Sequence, residues 1–424
     1  MSETGSERTR DTAEAVARRS YGRLVAFLAA RTRDVAGAED ALSEAFTAAL
    51  ADWPASGVPA NPEGWLMSVA RRKSIDALRR TRRGEGAGDH LRLLAEELES
   101  AAADQSGFPD HRLALMFVCA HPAIDPRIRA PLILQTILGL DAAAIASAFL
   151  ISPATMSQRL VRAKNKIREA GIPFRMPDTT DLRGRLQAVL DSIYAAFTKG
   201  WSDPAGSGLG QGNLADEGLW LGRLVASLLP DEAEALGLLA LMLHSQARRA
   251  ARRNAEGAYV PLDEQDPTLW DAAMMEEAEA LLLRAGRMGT AGRYQLEAAV
   301  QSAHAVRRHG GRSDWPAIEA FYTALLAITE SPVVAINLAV ATAETRGPSA
   351  GLAALETLRD DARFDSYQPY WAARADLRAR AGNIEAADEA YRRAIGLESD
   401  PAVRCFLQQR HAQTALAGQD GKKP

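Results

Sequence analysis

Residues Leu140 to Arg168 read LDAAAIASAFLISPATMSQRLVRAKNKIR, a short apolar helix, a tight turn and a second helix loaded with arginine and lysine. The spacing predicts the first helix from about Asp141 to Phe149, with Ile145, Ala146 and Phe149 on one face and the small Ala146 letting a second helix come close. Ser152 is placed to cap that second helix, because its hydroxyl accepts a backbone N–H that no carbonyl reaches. Pro153 suits the first helical position, where its missing donor would be unpaired anyway. Met156, Leu160 and Ile167 then face inward. Thr155, Ser157, Gln158 and Arg162 are left outward near the helix start, where side chains of these types hydrogen-bond to base edges, while Arg159, Lys164, Lys166 and Arg168 can neutralise phosphates. This is the layout of a helix-turn-helix that enters the major groove of DNA. The plainer alternative is a solvated basic helix.

The rest of the 424-residue chain is 47% hydrophobic and 25% charged, which excludes disorder throughout and suits about three domains with proper cores. The formal net charge is -4, so any affinity for DNA must come from local basic faces and not from a general positive field. Two cysteines far apart, Cys119 and Cys405, offer no disulfide framework and suit a reducing cytoplasm. Cys119 near His121 lacks a second Cys/His pair, so no metal site is expected there. The N-terminal MSETGSERTRDTAEAVARR carries charge where a signal peptide needs an apolar core, and no stretch is long and apolar enough to span a bilayer. The expectation is a cytoplasmic protein without a membrane partner.

Helical spacing of apolar residues recurs in nearly every segment, with no sustained period-two alternation, so the fold class is all-α. Helices are expected at about Thr12 to Arg31, Val35 to Asp52 and Pro62 to Arg83. RGEGAGDH then supplies glycine and charge suited to a flexible connection. The expected organisation is a first helical domain over 1–84, a flexible linker over 85–109, the helix-turn-helix domain over 110–175, a helical extension over 176–290, helix pairs over 291–412 and a disordered tail over 413–424. The helix pairs recur at about 35 residues, as in a tetratricopeptide-like solenoid. In the clearest pair Trp371 opens one helix, Gly382 and Asn383 make the turn, and Ala387, Tyr391 and Ala394 recur on the next. Ser331 to Leu358 is a weaker copy, and Ala317, Phe321 and Ala324 mark an earlier one.

A second basic helix lies in the first domain. NPEGWLMSVARRKSIDALRRTRR, from Asn61, puts Leu66, Val69, Ala70 and Leu78 on one side and crowds Arg71, Arg72, Lys73, Arg79, Arg80, Arg82 and Arg83 onto the rest of its C-terminal half. Such a helix suits a phosphate backbone, or is simply a basic surface. The preceding helix is expected to bury Leu42, Ala45, Phe46 and Ala49 and to leave Asp40 and Glu44 exposed together, which suits a protein partner better than DNA and is also what an ordinary solvated face looks like. His244, His304 and His309 come without a matched nucleophile, metal set or phosphate loop, so no catalytic residue and no cofactor are expected.

From about Ala15 to Pro173 this order of features resembles a bacterial sigma factor of the extracytoplasmic-function type, in the sigma-70 family. AEDALSEAF resembles the segment that docks on core RNA polymerase, WLMSVARRKSIDALRR the minus-ten recognition helix, and ISPATMSQRLVRAKNKIR the minus-thirty-five reading helix. CAHPAIDPRIRAPLILQTILGL and the tail with GLLALMLHSQARRAAR and PLDEQDPTLWD resemble the subgroup that bears a C-terminal tetratricopeptide-like extension. The resemblance implies two small sigma domains, regions 2 and 4, followed by a helical solenoid. It implies that Asp40 and Glu44 face polymerase, that Trp65 and the loop from Trp53 to Asn61 lie near the melted strand, and that Arg79 and Arg80 hold backbone. Trp65 equally suits the core. The chain departs from the family pattern at Arg72, which stands where relatives carry Asn, and at Cys119-Ala120-His121, which replaces a double cysteine. The implied partners are core RNA polymerase, promoter DNA and a protein or peptide ligand of the solenoid acting as a built-in regulator. A stand-alone helix-turn-helix regulator with a helical effector or dimerisation domain is the competing reading.

Overall fold

The computed structural model describes residues 20–81, 110–149, 151–177, 179–201, 212–289, 291–358 and 364–420. Among the described residues regular structure is helical, with no strand and one isolated bridge between Arg253 and Tyr259. The chain divides into two compact units, Met1–Leu221 and Gly222–Pro424.

The first unit is organised around α1, residues 20–32. Leu24, Val25, Ala26, Phe27, Leu28 and Ala29 are consecutive and all inaccessible, and a helix apolar on every face must lie inside a core. Among the described residues α1 is followed by α2 (Val35–Ser56), α3 (Pro62–Thr81) and α4 (Arg112–Cys119). The Glu63 carboxylate at the start of α3 accepts hydrogen bonds from Ser20 and Arg23 of α1. On its other side α1 meets α5 (Pro126–Leu138), where Gly22 is indispensable: a Cβ there would stand 2.2 Å from the Ile137 carbonyl oxygen. Gly139 ends α5 at φ +71, in the left-handed region, and the Tyr21 ring lies directly against it. The segments expected as separate domains over 1–84 and 110–175 therefore share one core, and the linker over 85–109 falls outside the described residues.

Two further helices, α6 (Ala142–Ala148) and α7 (Pro153–Glu169), complete the segment quoted first. The unit continues past residue 175 into α8 (Thr179–Trp201), which packs on α4 and α5 and buries Leu186, Val189, Leu190 and Ile193. Gly200 and Gly218 bring α9 (Gly212–Leu228) against α8, with Phe197 over Gly218, and the division between units falls within α9.

In the second unit α10 (Ala233–Ala247) is buried almost throughout and packs against α11 (Ala272–Gly286) and α12 (Arg293–Ala305). Glu234 of α10 accepts the backbone N–H groups of Tyr294 and Gln295 at 3.0 and 3.1 Å, satisfying the first turn of α12 from a neighbouring helix. Beyond lie α13 (Trp315–Thr329), α14 (Pro332–Arg346), α15 (Pro348–Glu356), α16 (Gln368–Arg380), α17 (Ile384–Leu397) and α18 (Pro401–Asp420), each packed on the next. The pair α16 and α17 follows the sequence reading: Gly382 turns at φ +80, Asn383 caps α17 through the Ala386 N–H, and Ala387, Tyr391 and Ala394 are buried.

Two expectations are corrected in this unit. On α13 the buried residues are Ile318 and Leu325, one position beyond the expected Ala317 and Ala324, of which Ala324 is exposed. One residue is about 100° of rotation on a helix, so the larger side chains take the inward face. The stretch from 413, expected to be disordered, is helical through Asp420, because Ala, Gln, Arg and Leu continue α18 without a breaker until Gly418.

Candidate nucleic-acid interface

The turn between α6 and α7 is built as the sequence requires. Asp141 caps α6 by accepting the Ala144 N–H at 2.7 Å, and Ser152 caps α7 by accepting the Thr155 N–H at 3.2 Å with Pro153 at the first position. Ile145 and Ala146 of α6 are inaccessible, and Met156, Leu160, Ala163 and Ile167 of α7 are buried against them and the core. That leaves Ser157, Gln158, Val161 and Arg162 exposed on the outer face at helical spacing. Thr155 does not join them fully. It is half-buried, and its hydroxyl sits 2.8 Å from the Ser152 hydroxyl in the cap.

The phosphate-type cations divide into two groups. Arg159 and Lys166, with the base-edge candidate Arg162, line a hollow of about 380 Å³ together with Ile124, Ile128, Ala163 and the carboxylate residue Asp125. Arg127, at the first turn of α5, completes it. This cation was missed in the sequence because it belongs to another helix; the only signal was its place beside the N-cap Asp125. Lys164 is turned the other way. It forms an ion pair with Glu39 of α2, with the two side chains only 13% and 8% exposed. Arg168 follows it, 3.8 Å from Asp34 and 3.0 Å from the Asn165 side-chain oxygen. Burial pushes the Glu39 carboxyl above the usual carboxylate range, and the adjacent Lys164 offsets this only in part.

On the first helices, Asp40 and Glu44 are both exposed on α2 as expected. Glu44 also pairs with Lys73 of α3 at 2.8 Å, so a residue expected to face polymerase and one expected to face DNA hold each other. Trp65 is half-buried and lies edge-on to the buried Trp53, with ring centroids 5.5 Å apart. Arg72 is exposed, with its Nε donating to the Ser68 carbonyl at 3.3 Å, and Arg71 is half-buried. The side chains of Arg79 and Arg80 fall outside the described residues. The loop before α3 is fixed by Asn61, whose side chain accepts the Gly64 N–H at 2.9 Å.

Cys119 is fully buried, 3.5 Å from the Thr136 hydroxyl, and burial pushes its thiol up to about 12. His121 accepts the Ala123 N–H through Nδ1, so the two side chains have separate local partners. Among the described residues no helix is long and apolar enough to cross a membrane.

Residues 16–84 match sigma-70 region 2, and residues 185–286 match a family of unknown function (DUF6596). Over 395 residues the chain is 38% identical to an uncharacterized protein of Rhizobium meliloti (strain 1021), covering 91% of this chain and 93% of that protein. No solved structure matches it. A sigma-70 region 2 at the start of a unit whose described residues are helical supports a sigma-factor-like role in transcription initiation. The chain belongs to one family with the Rhizobium meliloti protein along nearly its whole length. Sigma-70 region 2 implies core RNA polymerase and promoter DNA as partners.

Proposed function

We propose that this sigma factor is of the extracytoplasmic-function type, that α1 to α3 capture and help to melt the minus-ten region, and that the helix-turn-helix formed by α6 and α7 fixes register at the minus-thirty-five element. The observation that carries the reading is the hollow formed by Arg127, Arg159, Arg162 and Lys166 beside the capped, outward face of α7. Phosphate contacts from Arg127, Arg159 and Lys166 hold a helix in the groove while Ser157, Gln158 and Arg162 reach base edges. Melting breaks no covalent bond. Unstacking a base costs a few kcal/mol, which stacking and hydrogen bonds to the displaced nucleotide offset. Trp65 and the loop from Trp53 to Asn61 are the groups assigned to that strand, and Asp40 and Glu44 the contact with polymerase. Lys73 and Lys164 contribute to DNA only when they leave Glu44 and Glu39.

The second unit is read as a tetratricopeptide-like regulator, a helical solenoid that takes a protein or peptide ligand. Run-off transcription with purified core enzyme tests the first part: initiation from cognate promoters is expected, and failure on a whole genomic library would overturn it. Gel shifts separate this reading from a stand-alone operator binder, since promoter affinity should be weak until polymerase is added. A cut after Leu228 keeps α8 and α9 together on the first unit and tests the tail. Changed transcript output is expected, and unchanged output with unchanged polymerase affinity would remove the regulatory role.

A further inference from the structure

The second unit contains an open groove of about 660 Å³ whose walls are single faces of successive helices. From α14 it receives Asn337, Val340 and Glu344, and from α16 Ala372, Asp376 and Arg380, residues spaced so that each set lies along one side of its helix. Trp315 and Tyr322 of α13 and Phe406 of α18 supply apolar area, and the loop Pro261–Glu264 supplies a further wall. An open cleft to which several helices and a loop contribute both aromatic and polar side chains suits an extended chain that crosses them.

Its charges decide the kind of chain. Arg380 is tied to Glu344 and lies 3.4 Å from Asp376, and Arg410 lies 3.2 Å from Asp376, so both arginines lining the groove are already held by carboxylates. Asp263 and Glu264 are exposed, line the same groove and form no ion pair among the described residues. His304, the remaining titratable group of that wall, adds no positive charge: burial, with Arg248 and Arg307 nearby, pushes it down to about 4. Its Nδ1 faces the Ser313 hydroxyl at 3.1 Å and its ring stands edge-on to Trp315, which fixes the wall. Arg307 holds this loop through the backbone carbonyls of Leu262, Asp263 and Gln265, and leaves the rim beside the aromatic surface with the two carboxylates of Asp263 and Glu264.

We infer that this groove is a docking site for an extended basic peptide segment of a partner protein, which sets a lysine or arginine against Asp263 and Glu264 and an apolar side chain against Trp315, Tyr322 and Phe406. The inference deepens the regulatory reading of the tail and is independent of promoter recognition. The test is a positional-scanning library of capped decapeptides applied to the full-length protein at low and high salt. Peptides with a basic residue one to three positions from a large apolar one should be enriched, and their affinity should fall as salt rises. The double variant Asp263→Asn, Glu264→Gln should weaken the best peptide by about fivefold, the size expected for two exposed ion pairs. Asp263→Lys with Glu264→Lys should shift the enrichment toward acidic peptides. All four substitutions lie on exposed loop positions, and an unchanged melting profile shows that folding is intact. Enrichment of acidic peptides by the native protein, no enrichment at all, or equally tight binding of spermine alone would overturn the assignment. Run-off transcription on the same preparation separates the two readings, because a protein that initiates but binds no peptide loses only the groove.

Discussion

Lys164, on the helix proposed for the minus-thirty-five element, is paired with Glu39, on the helix that carries the residues proposed to face polymerase, and the pair is almost wholly withdrawn from water. The two carboxylates next to each other on α2 thus have different surroundings: Asp40 is exposed, whereas Glu39 is buried against α7.

The raised pKa of Glu39 makes a specific stability pattern follow. Desolvation outweighs the lysine, so this group contributes most below the ordinary carboxylate value of 4.5, and its contribution is lost as pH rises through the native value. Lys164→Met strands a buried carboxylate and should cost about 3 kcal/mol at neutral pH. Glu39→Gln keeps a hydrogen-bond acceptor for the lysine, whose side chain is the more exposed of the two, and should cost less than the lysine variant. Replacing both by Met should be close to neutral. Urea midpoints across pH 4 to 8 read all three, and equal losses for the two single variants would contradict the argument.

Arg127 stands in another helix yet shares the hollow with Arg159, Arg162 and Lys166. Removing one phosphate-neutralising cation lowers the salt slope of DNA binding by about 1 and weakens all sequences alike. Arg127→Ala should do so in the polymerase complex. Lys164→Met should leave the slope nearly unchanged while Glu39 retains the lysine. A slope unaffected by Arg127→Ala would remove this residue from the DNA surface.

The helix pair α6 and α7 was legible because its determinants are local: a cap, a proline and an inward apolar set within one segment. The orientation of Lys164 was not, since nothing near it in sequence announces Glu39 as its partner. The same limit applies to the union of the first two segments in one core. RGEGAGDH reads as a divider, and only the apolar run LVAFLAA from Leu24 to Ala30, with no helical period, signals that α1 is enclosed from all sides. In the second unit the tight turn at Gly382 and Asn383 was readable from residue type. The acidic groove was not, because it assembles from helices and a loop far apart in the chain.

Two shielded histidines, His244 buried and His304 half-buried, make the second unit acid-sensitive. Burial pushes His244 down to about 3 and His304 to about 4; the Glu279 carboxylate lies 3.4 Å from His244 but is half-exposed and does not reverse the effect. Because the native values lie below the unfolded value of about 6.5, the contribution of each neutral ring is present above that pH and is lost as pH falls toward the native value. The loss between pH 7 and pH 5 should be about 2 kcal/mol for each histidine. His244→Leu should flatten this limb of the urea midpoint against pH. A limb unchanged by His244→Leu and His304→Leu together would show that other groups cause it.

Val161 is 54% exposed, an aliphatic side chain at the middle of an otherwise polar outer face, with Gln158 one turn before it and Arg162 beside it. In the major groove the one apolar feature a base offers is the thymine methyl group. Under the proposed docking of α7, Val161 covers such a methyl, and burying it contributes ~0.8 kcal/mol. Replacing thymine by uracil at one position of the minus-thirty-five element should then weaken open-complex formation by about fourfold for the native protein. Val161→Ala should lose most of that sensitivity, while Ser157→Ala should keep it. Scanning uracil through every thymine of the element reads the effect directly. If the native protein and Val161→Ala respond identically at all positions, α7 does not present this face to the bases.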